Sequence, residues 1–176
     1  MRETKDRDIG IVILMGVSGS GKTTIGQLLA RDLGWSFYEG DDFHSQKNVA
    51  KMRDGLPLND EDRIPWLQAL HKLVLDLITK SQRAVITCSA LKQSYREWFT
   101  DGQPQVSLVY LRGNYTLIHR RLQSRIMHFM KADLLASQFM ALEEPHDVPF
   151  VDVSQAPEVI VEHIKRILAL HPGSVE

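Results

Sequence analysis

The sequence predicts a three-layer α/β domain, an open parallel sheet of about five strands with helices on both faces. Three observations predict it. Short apolar runs rich in β-branched residues alternate with stretches whose apolar residues recur every three or four positions, the order of parallel strands joined by helices. The first apolar run passes into a glycine-rich loop and then into an amphipathic stretch. The length, 176 residues with 43% hydrophobic and 24% charged, suits one globular domain spanning 1–176, long enough to bury its core without disulfides or metals.

Residues 9–15 (IGIVILM) read as a buried first strand. At about seven residues the run is too short to cross a membrane, and no small-residue cleavage site follows it. Residues 23–33 carry Ile25, Leu28, Leu29 and Leu33 on one helical face, and Gly34 closes that helix. Residues 35–39 read as a short second strand. Residues 40–62 are polar, irregular and dense in charge, and a connection this long in a compact domain is commonly functional. In the helix that follows, Asp60 or Asp62 is suited to cap the start and Pro65 to lie in the first turn. Trp66, Leu67, Leu70, Leu73, Val74, Leu77 and Ile78 then form one stripe. Residues 84–88 read as the third strand, 94–99 as a short helix and 106–111 as the fourth strand. Residues 115–125 read as a helix with Ile118 and Leu122 facing in, and 150–153 as the fifth strand. Pro157 opens a last helix with the stripe Ile160, Ile164, Ile167 and Leu168.

The loop after the first strand carries the clearest chemistry. Gly16-Val17-Ser18-Gly19-Ser20-Gly21-Lys22-Thr23 fits G-x-x-x-x-G-K-[ST] without a mismatch, with a strand before it and a helix after it, and Thr24 continues the helix. The glycines let successive N–H groups turn inward as a nest for phosphate oxygens, and the helix N-terminus adds partial positive charge. Lys22 is placed to reach the β- and γ-phosphates and the Thr23 hydroxyl to bind Mg²⁺. The motif predicts nucleoside triphosphate binding and says little about the second substrate.

The strings N-K-x-D and D-x-x-G, which a GTPase would need, are absent, and the chain is short for a motor ATPase. A small kinase remains, with an acceptor opposite the phosphate loop and a mobile basic lid closing over it. Glu39, Asp41 and Asp42 lie at the C-terminal end of the second strand, the sheet edge where ligands of open α/β folds bind. A carboxylate there, Asp41 above all, is suited to orient an acceptor hydroxyl and take its proton, while Asp42 also reads as a solvated turn residue. The lid candidate is 120–131, with Arg120, Arg121 and Arg125 following Arg112. Guanidinium groups suit the charge of a loose phosphoryl transition state, although Arg120 reads equally as a solvated helix face. His44, Asn48, Lys51, Arg53 and Arg63 flank the acid, and Ser89, Lys92, Tyr95 and Arg96 follow the third strand. This mix fits a polyhydroxylated acid, with Lys51 and Arg53 also readable as solvated charges.

Lys+Arg total 21 against 22 Asp+Glu, a formal net charge of −1, which argues against a nucleic-acid or anionic-membrane binder. The single cysteine, Cys88, reads as strand packing and predicts a reducing compartment, the cytoplasm. The seven histidines show no metal-ligand spacing.

The segments GVSGSGKTT (16–24), EGDDFHSQKNVAKMRDGLPLNDEDRIPWL (39–67), CSALKQSYREW (88–98) and HFMKADLLASQFMALEEP (128–145) resemble those of the bacterial and eukaryotic gluconokinases. These are short P-loop kinases of the shikimate- and adenylate-kinase-like group. The resemblance covers nearly the whole chain. It implies a P-loop kinase fold with a helical lid at about 120–140 and an acceptor segment at about 40–65. It further implies ATP- and Mg²⁺-dependent phosphorylation of D-gluconate to 6-phospho-D-gluconate, feeding the pentose phosphate pathway, by a cytoplasmic homodimer with no nucleic-acid or membrane partner. By that resemblance Asp41 lies beside the acceptor hydroxyl and Glu39 near the water shell of the metal held by Thr23. His44, Lys51, Arg63, Lys92 and Arg96 surround gluconate, Arg121 and Arg125 lie near the ATP phosphates, and His128 and Gln138 belong to the lid side; Asn48 and Ser89 join the substrate-binding set from the residue reading above. Two departures stand out. Ile126-Met127 replaces the usual basic residue and glycine, stiffening the expected lid hinge, and Ser45 replaces the usual proline after His44, loosening the expected backbone angle. The residues alone also leave open a kinase of shikimate, adenylyl sulfate or a nucleotide, and a non-catalytic ATP-binding module.

Overall fold

The computed structural model describes residues 8–124 and 132–171. β1 (Ile11–Met15) is buried along its whole length. Its side chains alternate, Val12 and Leu14 entering one core and Ile11, Ile13 and Met15 the other. A strand covered on both faces has no polar side to show, so its sequence is apolar throughout. β2 (Ser36–Tyr38), β3 (Ala84–Thr87), β4 (Val106–Arg112) and β5 (Phe150–Asp152) complete an all-parallel sheet in the order β2-β3-β1-β4-β5. β1 is therefore central. Leu14 pairs with Thr87 and Met15 with Tyr110, so the ends of β3 and β4 flank the loop that leaves β1.

One face is covered by α1 (Lys22–Leu33), α5 (Tyr115–Gln123), α6 (Ala132–Ala141) and α7 (Pro157–Ile167), through Ile25, Leu29, Ile118, Leu135, Ile160 and Ile164. The other is covered by α3 (Asp60–Thr79) and α4 (Gln93–Thr100), whose Trp66, Leu70, Val74, Tyr95 and Phe99 are buried against Ile11, Ile13 and Ile86. Truncating Trp66 or Phe99 to Ala would cost about 3–5 kcal/mol, because both are almost wholly enclosed.

Several sequence expectations are corrected here. The connection at 40–62 is not irregular. It holds a 3₁₀ turn (Gly40–Phe43) and α2 (Gln46–Arg53). α2 has almost no apolar stripe and is fixed instead by polar groups. Ser45 caps it, Asn48 Nδ2 donates to the Asp62 carbonyl at 2.6 Å and Lys51 Nζ bonds the Asp62 carboxylate at 2.7 Å. Ser45 has φ −63°, the angle a proline would impose, so its hydroxyl cap holds the turn that the missing ring would have held. The cap of α3 is Asn59, not Asp60 or Asp62. Asn59 accepts from the Asp62 N–H while the Asp62 carboxylate accepts from the Asn59 N–H, a capping box that leaves Pro65 inside the helix and not in its first turn. In α7, Val161 is buried and Ile167 is exposed, so the inward stripe is Ile160, Val161 and Ile164, with Leu168 at the C-cap packed partly against the same core as expected. α5 ends at Gln123, short of the expected 125.

Candidate active site

The loop between β1 and α1 is shaped by glycines in the left-handed region. Gly19 has φ 81° and Gly21 φ 95°, and a Cβ on Gly19 would lie 2.8 Å from the Leu122 side chain. Gly21 is the N-cap of α1 and offers no side chain, so the first N–H groups of that helix are left for an anion. Lys22 Nζ rests 3.0 Å from the carbonyls of Gly16 and Val17. Burial draws its ammonium below the usual lysine value, and the charges of Asp41 and Glu39 oppose that shift. The Ser18 N–H donates to Gln138 Oε1 at 2.7 Å, which ties the loop to α6. Ser20 is wholly buried beneath the loop.

Beside the loop, Glu39 joins two elements. Its carboxylate accepts from the Thr23 hydroxyl at 2.6 Å and from the Thr87 hydroxyl at the end of β3. Thr87 Oγ1 in turn accepts from the Gly40 N–H at 3.0 Å, and Trp66 Nε1 donates to the Gly40 carbonyl at 2.7 Å. Gly40 lies so close to β3 that a Cβ would fall 1.9 Å from the Thr87 carbonyl oxygen. The 3₁₀ turn carrying Asp41 is thus pinned to β3 on one side and α3 on the other. Cys88 sits just beyond, fully enclosed, and burial pushes its thiol up to about 12.

A cavity of about 280 Å³ opens in front of this turn, lined by Lys22, Asp41, His44, Asp60, Arg63 and Lys92, among others. Trp66, Ser89, Leu134 and Gln138 also face it. Asp41 is exposed to the cavity. The His44 ring stacks on Trp66 with 4.4 Å between centroids, and its Nε2 lies 4.0 Å from Asp41 Oδ1. Burial lowers the His44 pKa, with Arg63 adding to that shift and Asp41 opposing it, so the ring is neutral at neutral pH. Among the described residues its Nδ1 is buried without a hydrogen-bond partner. Around Asp60, Lys92 Nζ bonds both carboxylate oxygens at 2.8 and 2.7 Å, the Tyr95 hydroxyl donates to Oδ1, and Arg63 lies at 3.9 Å. Hydrogen bonds from Lys92 and Tyr95 hold the Asp60 carboxyl below its usual value, and Asp60 raises Lys92 in return.

The structure gathers Ser18, Lys22, Asp41, His44, Arg63, Ser89, Lys92 and Gln138 on one cavity. It does not bring in the other predicted side chains. Asn48 and Lys51 are spent on Asp62, one wall back. Arg96 is buried, donates to the Ala90 and Leu91 carbonyls at 3.2 Å, and lines a separate groove between α4 and β4. Arg121 donates to the Val153 carbonyl at 2.5 Å and lines a second opening on the far side of the phosphate loop, with Gly19, Gly21, Thr24, Gln155 and Pro157. Arg53, Arg120 and Asp42 are exposed, and Arg112 lies over the Phe150 ring. Arg125, Ile126, Met127 and His128 lie outside the described residues, as does most of the basic lid candidate. Sequence reasoning missed Asp60, Trp66 and Thr87 as site residues, and Gln155 and Pro157 beyond β5. Asp60 was legible as a helix-start acid and Trp66 as core, so each had an adequate explanation already.

Among the described residues no cluster of three metal-ligating side chains occurs, and no helix is long and apolar enough to cross a membrane.

Comparison with known proteins fits this geometry. A family model described as Shikimate kinase matches residues 18–168. A probable gluconokinase of Rattus norvegicus is 46% identical over 154 residues, 77% of this chain and 83% of that protein. The thermoresistant gluconokinase of Escherichia coli is 42% identical over 162 residues, 90% of this chain and 93% of that one. The chain belongs to the gluconokinase family. In three dimensions, a gluconokinase from Sinorhizobium meliloti superposes with a TM-score of 0.83 at 38% identity, covering 93% of both chains. The chain therefore has the α/β P-loop kinase fold, shared with that gluconokinase over 93% of each chain. Within it, this gluconokinase places the cavity in front of Asp41, lined by Lys22, and the second opening, lined by Gly19, Gly21 and Thr24, on two sides of the loop that leaves β1.

Proposed function

We propose that this chain catalyses transfer of the γ-phosphoryl group of ATP to D-gluconate, giving 6-phospho-D-gluconate for the pentose phosphate pathway. The observation that carries the reading is that Lys22 and Asp41 line the same small cavity as Arg63 and Lys92. The first pair is phosphoryl-transfer chemistry and the second is carboxylate recognition. The cavity volume, about 280 Å³, lies at the small end of the roughly 300–1,000 Å³ range of ligand pockets, which suits a small acid.

In this reading the main-chain N–H groups of 16–24 hold the ATP phosphates, with Arg121 near them. Lys22 leaves its resting carbonyls for the β- and γ-phosphates. The residues fit Mg²⁺: the Thr23 hydroxyl and Glu39 carboxylate are hard oxygen donors 2.6 Å apart, and two protein oxygens suffice where phosphates and waters supply the rest. Bound there, with Glu39 acting through a water, the ion would neutralise phosphate charge. Arg63 and Lys92 take the acid's carboxylate, while His44, Ser89 and Gln138 contact its hydroxyls. Asp41 orients the terminal hydroxyl and accepts its proton as the new O–P bond forms and the bond from γ-phosphorus to the bridging oxygen breaks. Asn48 and Lys51 support this wall through Asp62, and Arg96 braces the 90–91 turn, both indirect roles. The whole chain acts as one unit, with an acceptor segment at 40–65 and a lid at 120–140 that contributes Arg125 and His128 on closure. A cytoplasmic homodimer completes the proposal, the compartment supported by the lone buried thiol of Cys88.

The test is coupled ADP release over an acceptor panel. Turnover with gluconate and not with shikimate, adenylyl sulfate or nucleoside monophosphates is expected. A different preferred acceptor would replace the substrate assignment, and tight ATP binding without transfer to any acceptor would make the chain a regulatory module.

A further inference from the structure

Asp60 has contacts that the start of a helix does not require. The first turn of α3 already holds Glu61 and Asp62, and Asp62 makes the capping box with Asn59. Asp60 instead turns toward the cavity and gathers Lys92, Tyr95 and Arg63. Those cations also lie over one ring, the Arg63 guanidinium 5.8 Å and the Lys92 ammonium 5.7 Å from the Tyr95 centroid, and Arg63 Nη1 donates to the Tyr95 hydroxyl at 3.4 Å. Two like charges converging on one ring repel unless a counter-charge stands between them. Asp60 is that counter-charge. Its side chain is 59% exposed, and ion pairs this exposed add little to stability, so a purely structural purpose explains the cluster poorly.

The charge count is informative. Arg63 and Lys92 supply two positive charges and Asp60 removes one, leaving a single net positive charge for the acceptor's head. The other acid on the cavity, Asp41, faces His44 and Lys22.

We propose that Asp60 is a specificity-determining residue that preassembles Arg63, Lys92 and Tyr95 as a carboxylate receptor and limits its net charge to that of a monoanion. The proposal rests on the acceptor reading given above. It makes the pocket prefer a sugar acid over both a neutral polyol and a doubly charged sugar phosphate of the same length.

Three acceptor heads test it on one carbon chain: D-gluconate, neutral D-glucitol, and D-glucitol 1-phosphate as the dianion. With Asp60→Asn, the ratio of the inhibition constant of glucitol 1-phosphate to the KM of gluconate should fall about 10-fold, while ATP affinity stays constant. With Lys92→Gln, Asp60 now cancels Arg63, and preference for gluconate over glucitol should fall about 10-fold as well. The double variant Asp60→Asn/Lys92→Gln returns the head site to one net positive charge and should regain much of the gluconate preference. Circular dichroism and ATP binding check that each variant is folded, and if Asp60→Asn is not, Asp60→Ser decides the matter by the same fall in the ratio, with an unmoved ratio overturning the proposal. Ratios that do not move in either single variant, or a double variant no more selective than Lys92→Gln, overturn the proposal. Failure of the wild-type protein to phosphorylate gluconate would instead overturn the function it rests on.

Discussion

The phosphate loop offers its ligand main-chain N–H groups, whereas the acceptor wall offers side chains that are held by other side chains. In the loop, geometry comes from glycine φ angles and from the fixed direction of α1, and the proposed side-chain roles fall to Lys22 and Thr23. In the wall, Asp41 depends on a turn pinned by Thr87 and Trp66, and Lys92 depends on Asp60. A main-chain site is set by few residues and is nearly all-or-none. A side-chain site is spread over many, each worth less and each open to graded change.

The largest effects should mark the point where the two meet. Lys22→Ala and Asp41→Asn are each expected to lower kcat by roughly 1,000-fold with unchanged circular dichroism, the scale of losing a charge-stabilising or proton-accepting group. Steady-state rates check this, and near-normal turnover in either variant would break the comparison at its centre. Thr87→Val comes next. It keeps the shape of β3 but strips partners from the Gly40 N–H and from Glu39, costing about 1–3 kcal/mol in urea unfolding and an order of magnitude in kcat. Thr87→Ser should restore most of both, because the hydroxyl and not the methyl is what holds the turn. Cys88 gives a smaller, chemical readout. Its thiol, pushed up to about 12, stays protonated through the neutral range, so iodoacetamide at pH 8 should label the unfolded chain and leave the native one intact. The same shift has a defined sign. Below the ordinary thiol value of 9.0 it changes nothing, and above it the unfolded state loses a proton that the native state keeps, so stability declines between pH 9 and 12. The smallest effect is a control outside both walls. Asn114→Ala removes the cap that accepts from the Leu117 N–H and should cost about 1 kcal/mol with kcat unmoved.

The same contrast explains what the sequence made legible. Main-chain sites leave a pattern because glycine is demanded where nothing else fits, so the loop, its strand and its helix could be read directly. The five strands were legible for a similar reason, since burial on both faces leaves apolar runs. α2 was not, because its stability lies in the local Ser45 cap and in Asn48 and Lys51 bonding across to Asp62 of α3, and polar contacts over that distance leave no periodicity. Asn59 was overlooked as a cap because the acids that follow it compete for the same role. The acceptor wall was legible in composition but not in membership. Lys51 and Arg96 carry the right charge, yet one is bound by Asp62 and the other by carbonyls, which only the folded chain reveals. Asp60 was hidden by having an ordinary reason to be at a helix start.

A crystal structure with gluconate and a non-hydrolysable ATP analogue tests the central claim most directly. The account predicts an Asp41 carboxylate oxygen within roughly 2.6–3.2 Å of the terminal hydroxyl, with that hydroxyl facing the γ-phosphate and the acid's carboxylate on Lys92 and Arg63. A sugar bound in reverse, or Asp41 turned away from it, would contradict the account.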